Sequence, residues 1–259
     1  MTEQSARDRI LDAAEMLFAE DGLHGVSMRR IAVAAAVPIG LISYHFGSKE
    51  GLYRAVFERR SPTVVEQRLA GLRLADDEPD PGRRLELIVK ALVLPMVRLR
   101  TIDAQARFGR LMAREASDPN AFERGIIPEI FDPVAQEVVA ALARALPERS
   151  RTQVYWGYQF MLGALIFLMA DTGRIERLSD GRCKSHDAEA IARYLVPFLV
   201  AALRHGLAAT PQGNEPRDEP RLAHAPVPEH GRRSKEDMTH EARHVPPTKR
   251  RAARGRSRR

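Results

Sequence analysis

The 259-residue chain has a single cysteine, Cys183. That excludes an intramolecular disulfide framework and any multi-cysteine zinc or iron–sulfur site, and it fits a reducing cytoplasm. Aromatic residues are only 6%, too few for a ring-rich barrel or interface. Long apolar runs are also missing. The longest, Phe160 to Ala170, falls well short of the ~18–20 residues that span a bilayer. The opening Met1-Thr2-Glu3-Gln4-Ser5 is polar and has no apolar secretory core. The expectation is therefore a cytoplasmic protein with no membrane partner. Period-two alternation is absent too, so the chain reads as all-α.

Charge is present but uneven. The formal net charge is +7, of which residues 206–259 carry +6, from 13 Lys and Arg against 7 Asp and Glu. The first 205 residues hold 28 basic and 27 acidic groups and are nearly neutral. The same tail holds 7 of the 17 prolines, and seven of its last eleven residues, Lys249 to Arg259, are basic. Such a segment buries too little apolar surface to offset its ordering entropy, so 207–259 is expected to be a disordered basic tail. It is either an arm that touches DNA phosphates or a solubilising extension.

Helical periodicity fills the rest. Ile10, Ala13, Ala14, Leu17 and Phe18 form one stripe of a first helix, Ala6 to Glu20, which Asp21-Gly22 closes. Ser27 is a good N-cap for a second helix, Met28 to Ala35. A short third helix after Val37-Pro38 reaches about Tyr44, and Ser48 caps a fourth that runs at least to Arg60. Further helices are expected at about 83–100, 103–116, 119–146, 150–172 and 185–206, with kinks or ends at prolines 95, 128, 133 and 197.

Two short helices joined by a tight turn make a helix-turn-helix. Ile31, Ala32, Val37, Ile42 and Phe46 would be its small core. The helix after the turn is so short that Pro38, Ile39, Leu41, Ser43, Tyr44 and His45 must point outward. A DNA major groove accepts a helix of this diameter.

The run Gly25 to Leu52, led by the first amphipathic helix, resembles the DNA-binding region of TetR-family bacterial regulators. The signature is Ile31-Ala32, Ala36-Val37, Tyr44-His45-Phe46 and Ser48-Lys49-Glu50. The resemblance implies that Arg29 reaches bases or phosphates and that Gly40 and Leu41 meet base edges. It implies that Tyr44 and His45 contact phosphate and sugar, and that Lys49 is a phosphate ligand. A lysine at a helix N-terminus is physically an anion site as well. With Ser27, Pro38, Ile39 and Ser43, these residues are the expected DNA-facing set. The chain departs from the family where Ala36 stands in the turn, a usual glycine position, and where Ile39 and Leu41 make the recognition helix apolar. That favours thymine-methyl contacts and shape readout.

Residues 61–206 show no catalytic constellation, no metal-ligand spacing and no cofactor motif. His186, His205 and Cys183 read as surface residues. The segment Val154 to Ala170 is apolar nearly all round, and the last helix has an apolar stripe. Burial within the chain and pairing of two chains account for this equally well. The TetR resemblance implies a homodimer through these two helices, with Leu162, Leu165, Leu195, Phe198, Leu199 and Ala202 at the interface. The stretches Tyr155-Trp156, Phe160 to Ala164 and Leu195 to Phe198 also resemble the C-terminal domain of PsrA-type regulators. That resemblance implies a fatty-acid or acyl-CoA ligand. A pocket would be lined by Met96, Phe108, Met112, Phe122, Phe131, Phe160 and Phe167, where methionines suit a flexible alkyl chain. The alternative is a filled core.

The expectation is an all-α protein with three parts. Residues 1–60 form a three-helix helix-turn-helix domain and 61–206 a helical bundle for ligand binding and dimerisation, followed by the tail. Its function would be that of a non-enzymatic regulator binding a double-stranded operator, most simply a repressor released by a small apolar ligand. The rivals are a helical acyl carrier or enzyme, and a nucleic-acid compaction protein working through its tail.

Overall fold

The computed structural model describes residues 5–99 and 103–207, and every regular element among them is helical. Apart from Leu207, the tail expected over 207–259 lies outside these residues. The order is α1 (Ala6–Gly25), α2 (Met28–Ala34), α3 (Ile39–Phe46), α4 (Lys49–Asp76), α5 (Pro81–Leu99) and α6 (Asp103–Ala116). There follow α7 (Ala121–Arg124), a π-turn (Ile127–Phe131), α8 (Asp132–Ala145), α9 (Arg151–Met169), α10 (Arg174–Leu178), α11 (Ala188–Ala201) and a closing π-turn (Ala202–Gly206).

Serines start four of the helices. The hydroxyls of Ser5, Ser27, Ser48 and Ser150 each accept a backbone N–H three residues on, a cap worth about 1 kcal/mol. At Ser150 the Gln153 side chain reaches back to complete a capping box. The expected stripe of α1 is buried in full. This helix continues past Asp21-Gly22 to Gly25, and the break survives as a kink at Gly22, with φ 72° and ψ 174°.

Helix α4 runs unbroken through residue 60, so the boundary expected there falls inside a rod shared by the head and the bundle. Its buried residues Val64, Arg68, Leu72 and Ala75 form one stripe. Helices α4 and α5 cross closely at Gly71, where a Cβ would stand 2.7 Å from that of Ala91. The single helix expected over 119–146 is instead α7, a π-turn and α8. Gly125 adopts a left-handed φ of 68°, and Pro128 and Pro133 supply no N–H to carry a helix through.

Candidate nucleic-acid interface and ligand cavity

The reading head is built from α1 to α3 and the start of α4. Ile31, Ala32, Ala35 and Ile42 are buried between α2 and α3, and Val37 and Phe46 are half-buried beside them. Ala36 makes the turn with φ 51°, a left-handed conformation that costs an L-residue free energy glycine would not lose. Of the expected DNA-facing residues, Ser27, Arg29, Pro38, Ile39, Gly40, Ser43, Tyr44 and His45 are exposed, while Leu41 and Lys49 are half-buried. Tyr44 is the most prominent of the aromatics here, 82% exposed. Around Gly40 nothing lies within 4 Å of where a Cβ would be, so the protein itself does not require glycine there. Lys49 donates one hydrogen bond to the Val26 carbonyl at 3.2 Å, which fixes the ammonium beside the α4 N-terminus and leaves two N–H donors over. Arg30 is engaged by Asp21; Arg29 makes no ion pair or hydrogen bond among the described residues.

Behind the head, α4, α5, α6, α8 and α9 line a partly open cavity of about 220 Å³ whose walls include Met96, Met112, Phe131, Tyr158, Leu165 and Met169. Three of the expected pocket residues, Met96, Met112 and Phe131, therefore line it. Phe108 is fully buried but packs its ring edge on Phe57, at 5.7 Å between centroids, outside this lining. The other three are corrected by the structure: Phe122, Phe160 and Phe167 are 77%, 60% and 65% exposed. Helix α9 turns Met161, Leu165 and Met169 inward at four-residue spacing, which leaves Phe160 and Phe167 outside.

The same rotation corrects the expected interface. Leu162 and Leu165 line the cavity, and Leu199 is buried within its own subunit on a helix that packs against α5. Leu195 is half-buried, whereas Phe198 and Ala202 are exposed. What α9 and α11 present outward is Trp156, Phe160 and Phe167 on the first and Tyr194 and Phe198 on the second. Trp156 and Phe160 stack at 5.7 Å.

The cavity also contains a residue that periodicity alone passed over. Arg68 lines it and is buried, and its Nε has no hydrogen-bond partner. Burial holds its pKa below the ordinary arginine value, with Tyr158 acting in the other direction. The legible signal was an arginine inside the apolar stripe Val64, Arg68, Leu72. Burial raises the pKa of Tyr158 and that of Asp132 on the same lining.

Helix α6 joins the cavity to the head. Met112, Ala113 and Ala116 line the cavity. Arg114, between them, donates to the carbonyls of Ala19 at 3.2 Å and Glu20 at 2.8 Å, at the end of α1. The buried Glu115 accepts from Tyr53 at 3.1 Å and from Arg124 at 2.8 Å. A chain of ring contacts, Phe18 to Tyr53 to Phe57 to Phe108, runs in parallel from α1 through α4 to α6.

Two family descriptions match this arrangement. Residues 10–56 match the bacterial regulatory proteins of the tetR family, and residues 90–202 match the tetracyclin repressor-like C-terminal domain. The chain belongs to the TetR family. Among curated relatives it is 28% identical over 145 residues to the transcriptional dual regulator CecR of Shigella flexneri, covering 54% of this chain and 64% of that one. It is 34% identical over 76 residues to the transcriptional regulator UidR of Escherichia coli K12, covering 28% and 39%. The chain thus spans less than two thirds of either relative. Among solved structures, the fatty acid degradation regulator FadR of Bacillus halodurans superposes with a TM-score of 0.57 at 20% identity, covering 79% of this chain and all of that one. FadR of Bacillus subtilis, solved in complex with stearoyl-CoA, gives 0.55 at 19%, covering 74% and 97%. These last two likenesses speak to the fold.

Proposed function

We propose that this protein is a sequence-specific DNA-binding transcriptional regulator, acting as a homodimer and released from its operator by a small ligand in the α4–α9 cavity. The observation that carries the reading is the outer face of α3. Six of the ten candidate residues, Pro38, Ile39, Gly40, Ser43, Tyr44 and His45, are exposed on it and just before it, beside a lysine fixed at a helix N-terminus. A regulator of this build reads bases with α3 and holds phosphates with Tyr44, His45 and Lys49. The apolar Ile39 and Leu41 favour thymine methyl groups.

Dimerisation is supported by the exposed aromatic residues of α9 and α11, since a monomer rarely leaves such groups in water without a partner surface. Two heads would then meet half-sites roughly 34–36 Å apart. Ligand release follows if an occupant of the cavity displaces α6, because Arg114 and Glu115 carry that movement to α1 and α4. A preference of a few kcal/mol for the displaced state is enough to empty the operator. That the Bacillus subtilis FadR structure contains stearoyl-CoA supports an acyl compound as the ligand class.

The test is selection of random-sequence duplexes by the full-length chain, followed by sequencing. An enriched inverted repeat is expected. Binding without an enriched sequence would favour the compaction reading over this one.

A further inference from the structure

The Arg68 side chain is the one charged group on the cavity wall that is buried in the bundle. Among the described residues it makes no ion pair and no hydrogen bond, and its Nε is sealed from solvent. The carboxylate on the same lining, Asp132, is an exposed residue beyond ion-pair distance, and Tyr158 approaches as a neutral hydroxyl. A buried guanidinium left in this state is costly, and folded proteins normally supply its partner. The rest of the wall is largely apolar, with Met96, Met112 and Met169 able to adjust their shape.

We propose that the cavity binds a small amphiphilic anion, an aliphatic carboxylate whose head pairs with Arg68 and whose chain lies against the methionines. This deepens the ligand-release reading above and rests on it. The planar fork of arginine matches the two oxygens of a carboxylate and gains most from the pairing when water is excluded. The volume sets the size: about 220 Å³ is room for roughly seven groups the size of a water molecule. That fits a chain of medium length, given some movement of the methionines. A thioester, being neutral, presents no charge at that point.

The probe is octanoate, titrated calorimetrically into the full-length protein without DNA, with 1-octanol as its neutral counterpart and octanoyl-CoA as the thioester arm. Octanoate should bind the wild type at least tenfold more tightly than 1-octanol. Arg68→Met should lose that preference, and Arg68→Lys should keep part of it. Because methionine removes an unpaired buried charge, unliganded Arg68→Met should also melt at a higher temperature than the wild type. Equal affinities for acid and alcohol, octanoate binding unaffected by Arg68→Met, or a lower melting temperature for that variant would each overturn the proposal. Octanoyl-CoA binding tighter than octanoate with the same dependence on Arg68 would assign the guanidinium to a phosphate and overturn the carboxylate. Operator binding is then measured separately with octanoate present. Octanoate that binds through Arg68 but leaves the operator occupied keeps this site and contradicts ligand release.

Discussion

The hydroxyl of Tyr53 donates to the carboxylate of Glu115 across 62 positions of sequence, at 3.1 Å, with both side chains buried. One residue stands in the rod that leaves the reading head and the other on the helix that walls the cavity. Burial first, and the Glu115 charge next, hold the Tyr53 hydroxyl far above its ordinary pKa. The folded state thus keeps this proton when the unfolded chain, ionising near ~10, has lost it. Stability from this group is complete below that value and declines as pH rises above it. Tyr53→Phe should cost about 1–2 kcal/mol at neutral pH and should flatten the alkaline decline, as read by urea melts from pH 8 to 11. An unchanged decline would mean that the tyrosine is not its source.

Arg114→Ala removes both bonds from α6 to the end of α1 while leaving the cavity lining intact. Ligand affinity should be nearly unchanged, and the effect of a bound ligand on operator affinity should shrink severalfold. Calorimetry and fluorescence anisotropy on one preparation separate the two quantities. A variant that responds as strongly as the wild type would show that the signal takes another route, such as the ring contacts from Phe108 to Phe18.

Gly40 separates folding from reading. A Cβ there meets no protein atom, so Gly40→Ala should leave stability unchanged or raise it by about 0.5–1 kcal/mol through helix propensity. If α3 enters the groove with this face, operator affinity should nevertheless fall. Lys49→Ala should weaken all duplexes alike and reduce the salt slope by about 0.9 for its lost phosphate contact. Mobility-shift titrations at several salt concentrations read both effects.

The turn at Ala36 gives a stability prediction for the reverse substitution. Its φ of 51° is one that glycine adopts at little cost, so Ala36→Gly should stabilise the protein by up to about 1 kcal/mol. Thermal melts check it, and destabilisation would mean that the Ala36 methyl group contributes contacts worth more than the strain.

The interface prediction follows exposure rather than hydrophobicity. Phe198→Glu places a charge on the outer face of α11, where the residue is 67% exposed, and should yield a folded monomer by light scattering. Leu199→Glu, one residue on, points into the subunit and should unfold it. A dimeric Phe198→Glu protein would place the interface elsewhere.

Much of this was legible in the residues. Serine caps, the α1 stripe and the turn before Pro38 mark the head because local chemistry decides them. The α9 face was not legible, because a helix apolar on every side has no periodic stripe to show which residues turn inward. Met161, Leu165 and Met169 win that place by packing, and the larger Phe160 and Phe167 are left outside. Arg68 was hidden for the converse reason: counting apolar positions treats an arginine as a gap in a stripe, although its stem continues it.

Spacing tests the dimeric reading head most directly. About five base pairs, half a helical turn, are inserted between the half-sites of the selected operator, and the full-length chain is titrated against both duplexes by anisotropy. A pair of heads held rigidly by α9 and α11 should lose affinity to the level of a single half-site. Equal affinity for the two duplexes would contradict a dimer that grips both half-sites at once.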